Sequence, residues 1–251
     1  MRTIVWLCCI LVTCHASHRR TFLSLFKVCP RSNPHWNDCL KDAIQDALSV
    51  LKDGLYQYHF PSMNPIKVEN WVVEPTPVLN FVQELENIEL FNHTEVTIEK
   101  VDAIESDGEF TLKIKCTGPA VRYSADYKYV DAIIDGFDYS SEGRSDYMIV
   151  GYRADLSMAG KVGVNGLLKI TKSEVNIKCD TFYGVYKSTD KELSTRINNF
   201  LDVNRIVLNP HVMKKFGDLH AYAYKVLANT IFAQIRFDEM FPSSELRRCT
   251  S

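Results

Sequence analysis

The run NPHVMKKFGDLHAYAYKVLANTIFAQIR, Asn209–Arg236, decides the fold. Asn209 suits a helix cap and Pro210 the first helical position, so a helix is predicted to begin here. Val212, Phe216, Leu219, Ala223, Val226 and Thr230 recur at steps of three and four, and Met213, Leu227, Ile231 and Ile235 widen the same face. Lys214, Asp218, Lys225, Asn229 and Arg236 leave only a narrow polar stripe. Such a helix reaches roughly 40 Å at about 1.5 Å per residue. Lys214, Lys215, Asp218 and Lys225 interrupt any membrane-spanning run, yet more than half of the circumference is apolar. The rest of the chain must wrap it.

Upstream, the first sixteen residues read as a secretory signal. Arg2 supplies the charge, Ile4 to Val12 the apolar core, and Cys14 and Ala16 the small residues before a cut after Ala16. The mature chain, 17–251, is long enough for one sizeable core, and no linker, repeat or low-complexity tract divides it, so one domain is expected. The formal net charge of −2 gives no electrostatic footprint for nucleic acid or an anionic membrane. No later stretch could span a bilayer. A neutral or apolar partner is expected instead.

Cys8, Cys9 and Cys14 leave with the signal, so Cys29, Cys39, Cys116, Cys179 and Cys249 remain, an odd number. At least one thiol stays unpaired or joins a second chain, for which Cys249 in the tail is the candidate. Asn92-His93-Thr94 is an N-glycosylation acceptor and is expected in a surface turn of an exported protein.

A second helix is predicted after Asn33-Pro34, with Trp36, Leu40, Ala43, Ile44, Ala47, Leu48, Leu51 and Leu55 on its dry face and an end at Gly54. Asp38, Lys41, Asp42, Gln45, Asp46 and Lys52 lie opposite. A bridge between Cys29 and Cys39 would staple the chain to the first turns of this helix. From Ile66 to about Asp180 the period changes to two: Phe110, Leu112, Ile114 and Cys116 oppose Thr111, Lys113 and Lys115, and Val175, Ile177 and Cys179 oppose Asn176 and Lys178. Asp107-Gly108, Gly118-Pro119, Asp135-Gly136, Glu142-Gly143 and Asn165-Gly166 read as hairpin turns between strands. Consecutive hairpins with one wet face make an antiparallel meander, not the βαβ pattern of nucleotide-binding proteins. The fold class is therefore α+β, a strongly curved antiparallel sheet around the long C-terminal helix, with a second amphipathic helix near the N-terminus. Leu193 to Leu201 reads as a short separate helix leading into the long one.

These segments resemble the secreted insect takeout and juvenile hormone binding proteins. The resemblance is carried by Cys29 to Leu40 with the following helix and FPSMNPIKV (Phe60–Val68), by the meander with Gly118-Pro119 and Tyr123, and by NNFLDVN (Asn198–Asn204) with the long helix and IRFDEMFP (Ile235–Pro242). It implies a bridged Cys29–Cys39 pair and a tubular fold with an apolar tunnel between helix and sheet. Juvenile hormone binders in the strict sense carry a further bridge to the C-terminal helix, but Asn209–Arg236 holds no cysteine, which places the chain on the takeout side. Cys116 and Cys179 either form a local bridge or remain buried thiols.

With a tunnel implied, the inward residues become candidate ligand contacts: Trp36, Leu40, Ile44 and Leu48 from the first helix, Tyr123 and Tyr127 from the meander, and Phe216, Leu219, His220, Ala223, Val226, Leu227, Thr230 and Ile231 from the long helix. Periodicity alone would make them core. His220 reads either as a hydrogen-bond donor to a ligand oxygen or as a histidine on the helix margin. No Gly-x-Ser-x-Gly elbow, His-Glu-x-x-His or phosphate loop occurs, and no catalytic group, metal or cofactor is expected. The expected function is a secreted, extracellular carrier of an elongated hydrophobic small molecule: a terpenoid, a fatty acyl chain or a similar lipid. A secreted interaction or defence protein that presents a ligand to a receptor, with a small or filled cavity, is the alternative. A lipid hydrolase would need a nucleophile, a base and an orienting group to meet in that cavity.

Overall fold

The computed structural model describes residues 22–243; the expected signal sequence and Cys249 lie outside them. Helix α1 (Trp36–Leu51) is followed by strands β1 (Ile66–Val73), β2 (Val82–Phe91), β3 (Thr97–Ser106), β4 (Glu109–Val130), a two-residue hairpin β5 (Ile133–Ile134) and β6 (Phe137–Asp138), β7 (Ser141–Val162), β8 (Leu168–Lys178) and β9 (Thr181–Ser188). Helices α2 (Lys191–Phe232) and α3 (Phe237–Met240) close the chain. All pairings are antiparallel, and the curved sheet wraps α2 as its patterning requires. The fold class read from the sequence is the one observed.

Two long strands, β4 and β7, pair along nearly their whole length and carry the sheet. Each changes outer neighbour midway. β4 pairs β3 up to Thr117 and β2 from Arg122, while β7 pairs β9 up to Val150 and β8 from Arg153. Gly118-Pro119 was predicted as a turn because proline cannot donate to a ladder, yet it lies inside β4. The reason is its place: at the exchange between β3 and β2, no outer strand needs the missing N–H. Directly across, Gly151 of β7 has φ 65°, which lets that strand bend at the same level. Glu142-Gly143 is likewise inside a strand, whereas Asp107-Gly108, Asp135-Gly136 and Asn165-Gly166 do form turns between strands. The expected break at Gly118-Pro119 is therefore absent, and β4 runs on as one strand of 22 residues.

The long helix also starts earlier than predicted. It runs unbroken for 42 residues with Pro210 inside, and absorbs the short helix expected at Leu193–Leu201. The true cap is Asp190, whose carboxylate accepts from the N–H groups of Glu192 at 2.9 Å and Leu193 at 3.0 Å, a cap that contributes about 1 kcal/mol. Asn209 caps nothing: its side-chain oxygen accepts from the Cys179 thiol at 3.5 Å. Ile197, Leu201 and Leu208 are buried before the proline and Met213 after it, so packing on both sides overrides the local break signal.

Side-chain amides on the helices finish the sheet edges. Asn229 of α2 accepts from Ile170 N–H at 2.8 Å and donates to its carbonyl at 3.0 Å on β8, and Asn198 does the same at Tyr186 of β9. Gln45 of α1 accepts from Ile98 N–H at the β3 edge and donates to the Val96 carbonyl. Each amide satisfies an edge donor and acceptor that would otherwise stay open, which fixes the helices against the sheet. Gly217 allows the closest approach: a Cβ there would collide with the Val175 carbonyl of β8. Helix α1 ends at Leu51, and Gly54, at φ 84°, turns the chain where a Cβ would press on Ser62 and Phe60 backbone atoms.

Candidate functional site

Between α1, the inner face of the sheet and the C-terminal third of α2 lies an apolar chamber of about 260 Å³. Helix α1 supplies Leu40, Ile44, Leu48 and Leu51; β4 and β7 supply alternate residues such as Phe110, Leu112, Ala154 and Leu156; α2 supplies Leu227, Ala228 and Ile231. The chamber exists because α1 touches the sheet through β3 and stands away from β4 and β7. Lys27, from the segment before α1, lines the chamber and pairs with Asp42 at 3.0 Å. The other polar linings are His93, Cys116 and Tyr224. Burial pushes the Cys116 thiol up to about 11, so it stays protonated and weakly reactive.

A second cavity of about 80 Å³ lies toward the other end of α2, lined by Trp71, Phe81, Tyr123, Tyr129, Phe216 and Leu219 among others. Its tyrosines form an edge-to-face cluster in which Tyr147 and Tyr186 hydroxyls meet at 2.6 Å. The two cavities share no lining residue.

What separates them is a buried polar septum. His220 of α2 is 1% exposed and His93, in the turn after β2, is 3% exposed. Their Nε2 atoms lie 3.2 Å apart. His220 Nδ1 reaches the Phe216 carbonyl at 2.5 Å, and the Tyr224 hydroxyl reaches His93 Nδ1 at 2.7 Å. Tyr152 of β7 packs edge-on to His93, with centroids 6.0 Å apart. Neither imidazole bonds a carboxylate, and burial lowers both: His220 to about 4 and His93 well below 6.5, with repulsion from His220 adding to the effect at His93. Both rings are neutral at neutral pH.

The predicted contacts divide accordingly. Leu40, Ile44, Leu48, Leu227 and Ile231 line the larger chamber, and Tyr123, Phe216 and Leu219 the smaller. His220 lines neither and belongs to the septum. Trp36 lines neither cavity and packs edge-on to Phe241, which lines the larger chamber. Tyr127 is packed among Tyr129 and Tyr186, with its hydroxyl 3.4 Å from Ser141. Ala223 and Val226 face an outer groove beside β1, with Val226 47% exposed, and Thr230 returns its hydroxyl to the Val226 carbonyl. Ala223 is nonetheless buried in the main core, while Val226 and Thr230 line neither chamber: the sheet covers less of the α2 circumference than the apolar arc suggests. His93 was missed, because nothing local marks a histidine inside a glycosylation motif as the partner of one 127 residues later.

Cys29 and Cys39 are bridged, and the link ties the incoming chain to the first turns of α1. Cys116 and Cys179 are not bridged. Cys116 lines the larger chamber and Cys179 meets Asn209 on α2, so each thiol has its own surroundings. The acceptor motif is less exposed than a surface turn: Asn92 is half-buried, and His93 and Thr94 are buried. Among the described residues, no group of three His, Cys, Asp or Glu could hold a metal ion, and no helix is long and apolar enough to cross a membrane.

A curved sheet around one long helix, with chambers between them whose walls are apolar apart from a few polar side chains, defines a class of hydrophobic-ligand-binding proteins. Within that class, the chain belongs to the haemolymph juvenile hormone binding protein family, whose profile matches residues 6–242. The crystal structure of Epiphyas postvittana Takeout 1 superposes with a TM-score of 0.68 at 15% identity, covering 86% of this chain and 99% of that one, and shares the fold. A crystal structure of lipopolysaccharide binding protein matches at TM-score 0.36 and 13% identity, over 79% of this chain and 38% of that one. No curated protein sequence matches significantly.

Proposed function

We propose that this protein is a secreted carrier that holds an elongated hydrophobic small molecule in the chamber under α1. The observation that carries the reading is the chamber of about 260 Å³, whose wall is apolar apart from Lys27, His93, Cys116 and Tyr224. Removing ligand surface from water there yields about 25 cal/mol per Å² before ordering costs. A cavity of ~150 Å³ accommodates benzene, so this chamber suits a molecule on the order of ten heavy atoms, or the end of a longer one. The ligand-binding set is accordingly Leu40, Ile44, Leu48, Leu227 and Ile231, joined by His93 and Tyr224. Cleavage after Ala16, export as the single domain 17–251 and glycosylation at Asn92 complete the proposal.

The volume of the chamber favours a carrier over an interaction or defence protein with a filled interior. The test is direct: protein recovered from its secretion route is extracted and analysed by mass spectrometry, and the ligand-free chain is titrated with the hydrophobic fluorophore N-phenyl-1-naphthylamine. A lipid-free protein that also leaves the fluorophore unshifted would sink the carrier reading.

A further inference from the structure

The septum fixes the direction of every hydrogen bond in it. The Phe216 carbonyl can only accept, so His220 Nδ1 carries the proton it donates there. In a neutral ring, His220 Nε2 is then an acceptor, and the imidazole nitrogen facing it at 3.2 Å, His93 Nε2, must donate. Neutral His93 is left with an accepting Nδ1, and the Tyr224 hydroxyl spends its proton on it at 2.7 Å. Tyr152, whose ring packs edge-on to His93, has a buried hydroxyl with no hydrogen-bond partner and lines neither cavity. Tyr224 and His93 both line the larger chamber, but both His93 nitrogens are occupied. What the septum still offers the chamber is the remaining lone pair of Tyr224 Oη.

We infer that this oxygen reads the polar end of the bound molecule and accepts a hydrogen bond from it, so that the preferred ligands are chains ending in a hydroxyl, aliphatic alcohols, and not the corresponding ethers, esters or ketones. At the septum a ligand carbonyl meets no free donor, and Lys27, which also lines the chamber, is paired with Asp42. Turning the Tyr224 hydroxyl toward it would leave His93 Nδ1 buried without a proton, a loss as large as the bond gained. Reversing the whole chain is blocked at its far end by Phe216. The inference rests on the carrier reading and adds the chemical class of its ligand.

The full secreted chain, loaded with N-phenyl-1-naphthylamine, is titrated with decanol, methyl nonyl ether and undecane, which match in length. Decanol is expected to compete about three- to tenfold more tightly than the ether, the equivalent of one net hydrogen bond. Tyr224→Phe, which keeps the ring and removes the oxygen, is expected to bring decanol to the level of the ether. Equal affinities, or an ether that binds more tightly than the alcohol, would overturn the inference and leave the carrier standing. Failure of all three to displace the bound fluorophore would likewise overturn the inference, whereas a chain that takes up no fluorophore and carries no lipid would remove the carrier reading as well. The wild-type ratio needs no variant, so it decides the matter even where Tyr224→Phe folds poorly.

Discussion

Acid should loosen this protein through its septum before it titrates the surface carboxylates. His220 is held at about 4 against 6.5 for an unburied imidazole, so between those values the unfolded chain binds a proton that the folded chain refuses. The depressed value fixes the sign: the stability from keeping the ring neutral is complete above about pH 6.5 and is lost as pH falls toward 4. Linkage for this one group gives a loss of about 1 kcal/mol by about pH 5.5 and about 2 kcal/mol by about pH 4.5, relative to neutral pH. His93, lowered by burial and by its neighbour, acts in the same direction. The groups facing the pair are Tyr152, Tyr224 and the Phe216 carbonyl, none of which changes charge in this range. Urea unfolding followed by circular dichroism between about pH 7.5 and 5.5 measures the effect above the range of most carboxylates. The double variant His93→Phe, His220→Leu should flatten the slope, whatever its own stability. Wild-type stability that is level or rising toward pH 5.5 would refute neutral, buried imidazoles.

Reduction of the Cys29–Cys39 bridge, which closes a loop of 10 residues, should cost about 2.7 kcal/mol in the chain-entropy account and be visible as a lower melting temperature in dithiothreitol. Gly217→Ala should destabilise by about 1–3 kcal/mol in spite of alanine's better helix propensity, because the added Cβ meets the Val175 carbonyl of β8; an unchanged or raised melting temperature would contradict that packing. Ala228→Trp projects into the larger chamber and should weaken fluorophore binding by about tenfold or more. The same replacement at exposed Val203, outside both cavities, should leave binding unchanged.

Much of the fold was legible because it follows from which faces are dry. The change of period at Ile66 separates helix from strand, and the asymmetric arc through Phe216, Leu219 and Leu227 demands a cover that only a curved sheet of this size can supply. The errors fall where a local rule met a tertiary exception. Asn209-Pro210 looks like a helix start, but a proline is tolerated inside a helix whose neighbours are buried on both sides. Gly118-Pro119 looks like a turn, but it sits where β4 changes partners. Gln45 was assigned to a wet face, yet its amide completes the β3 edge, and no periodicity distinguishes a solvated glutamine from one bonded to a backbone edge.

The sequence by itself determined that a long apolar helix is wrapped by an antiparallel meander, that α1 is amphipathic, and that Cys29 and Cys39 are near enough in the chain to be joined. Tertiary structure alone decided that the interior is hollow, that it is divided in two, and what divides it. A side chain's hydrophobicity records that it avoids water, not whether its neighbour is another side chain or a void. Likewise His93 and His220 carry no mark of each other in sequence: their meeting follows from the turn after β2 being carried to the middle of α2 by the curvature of the sheet. That meeting lies between the two cavities, and gives the larger one a polar end.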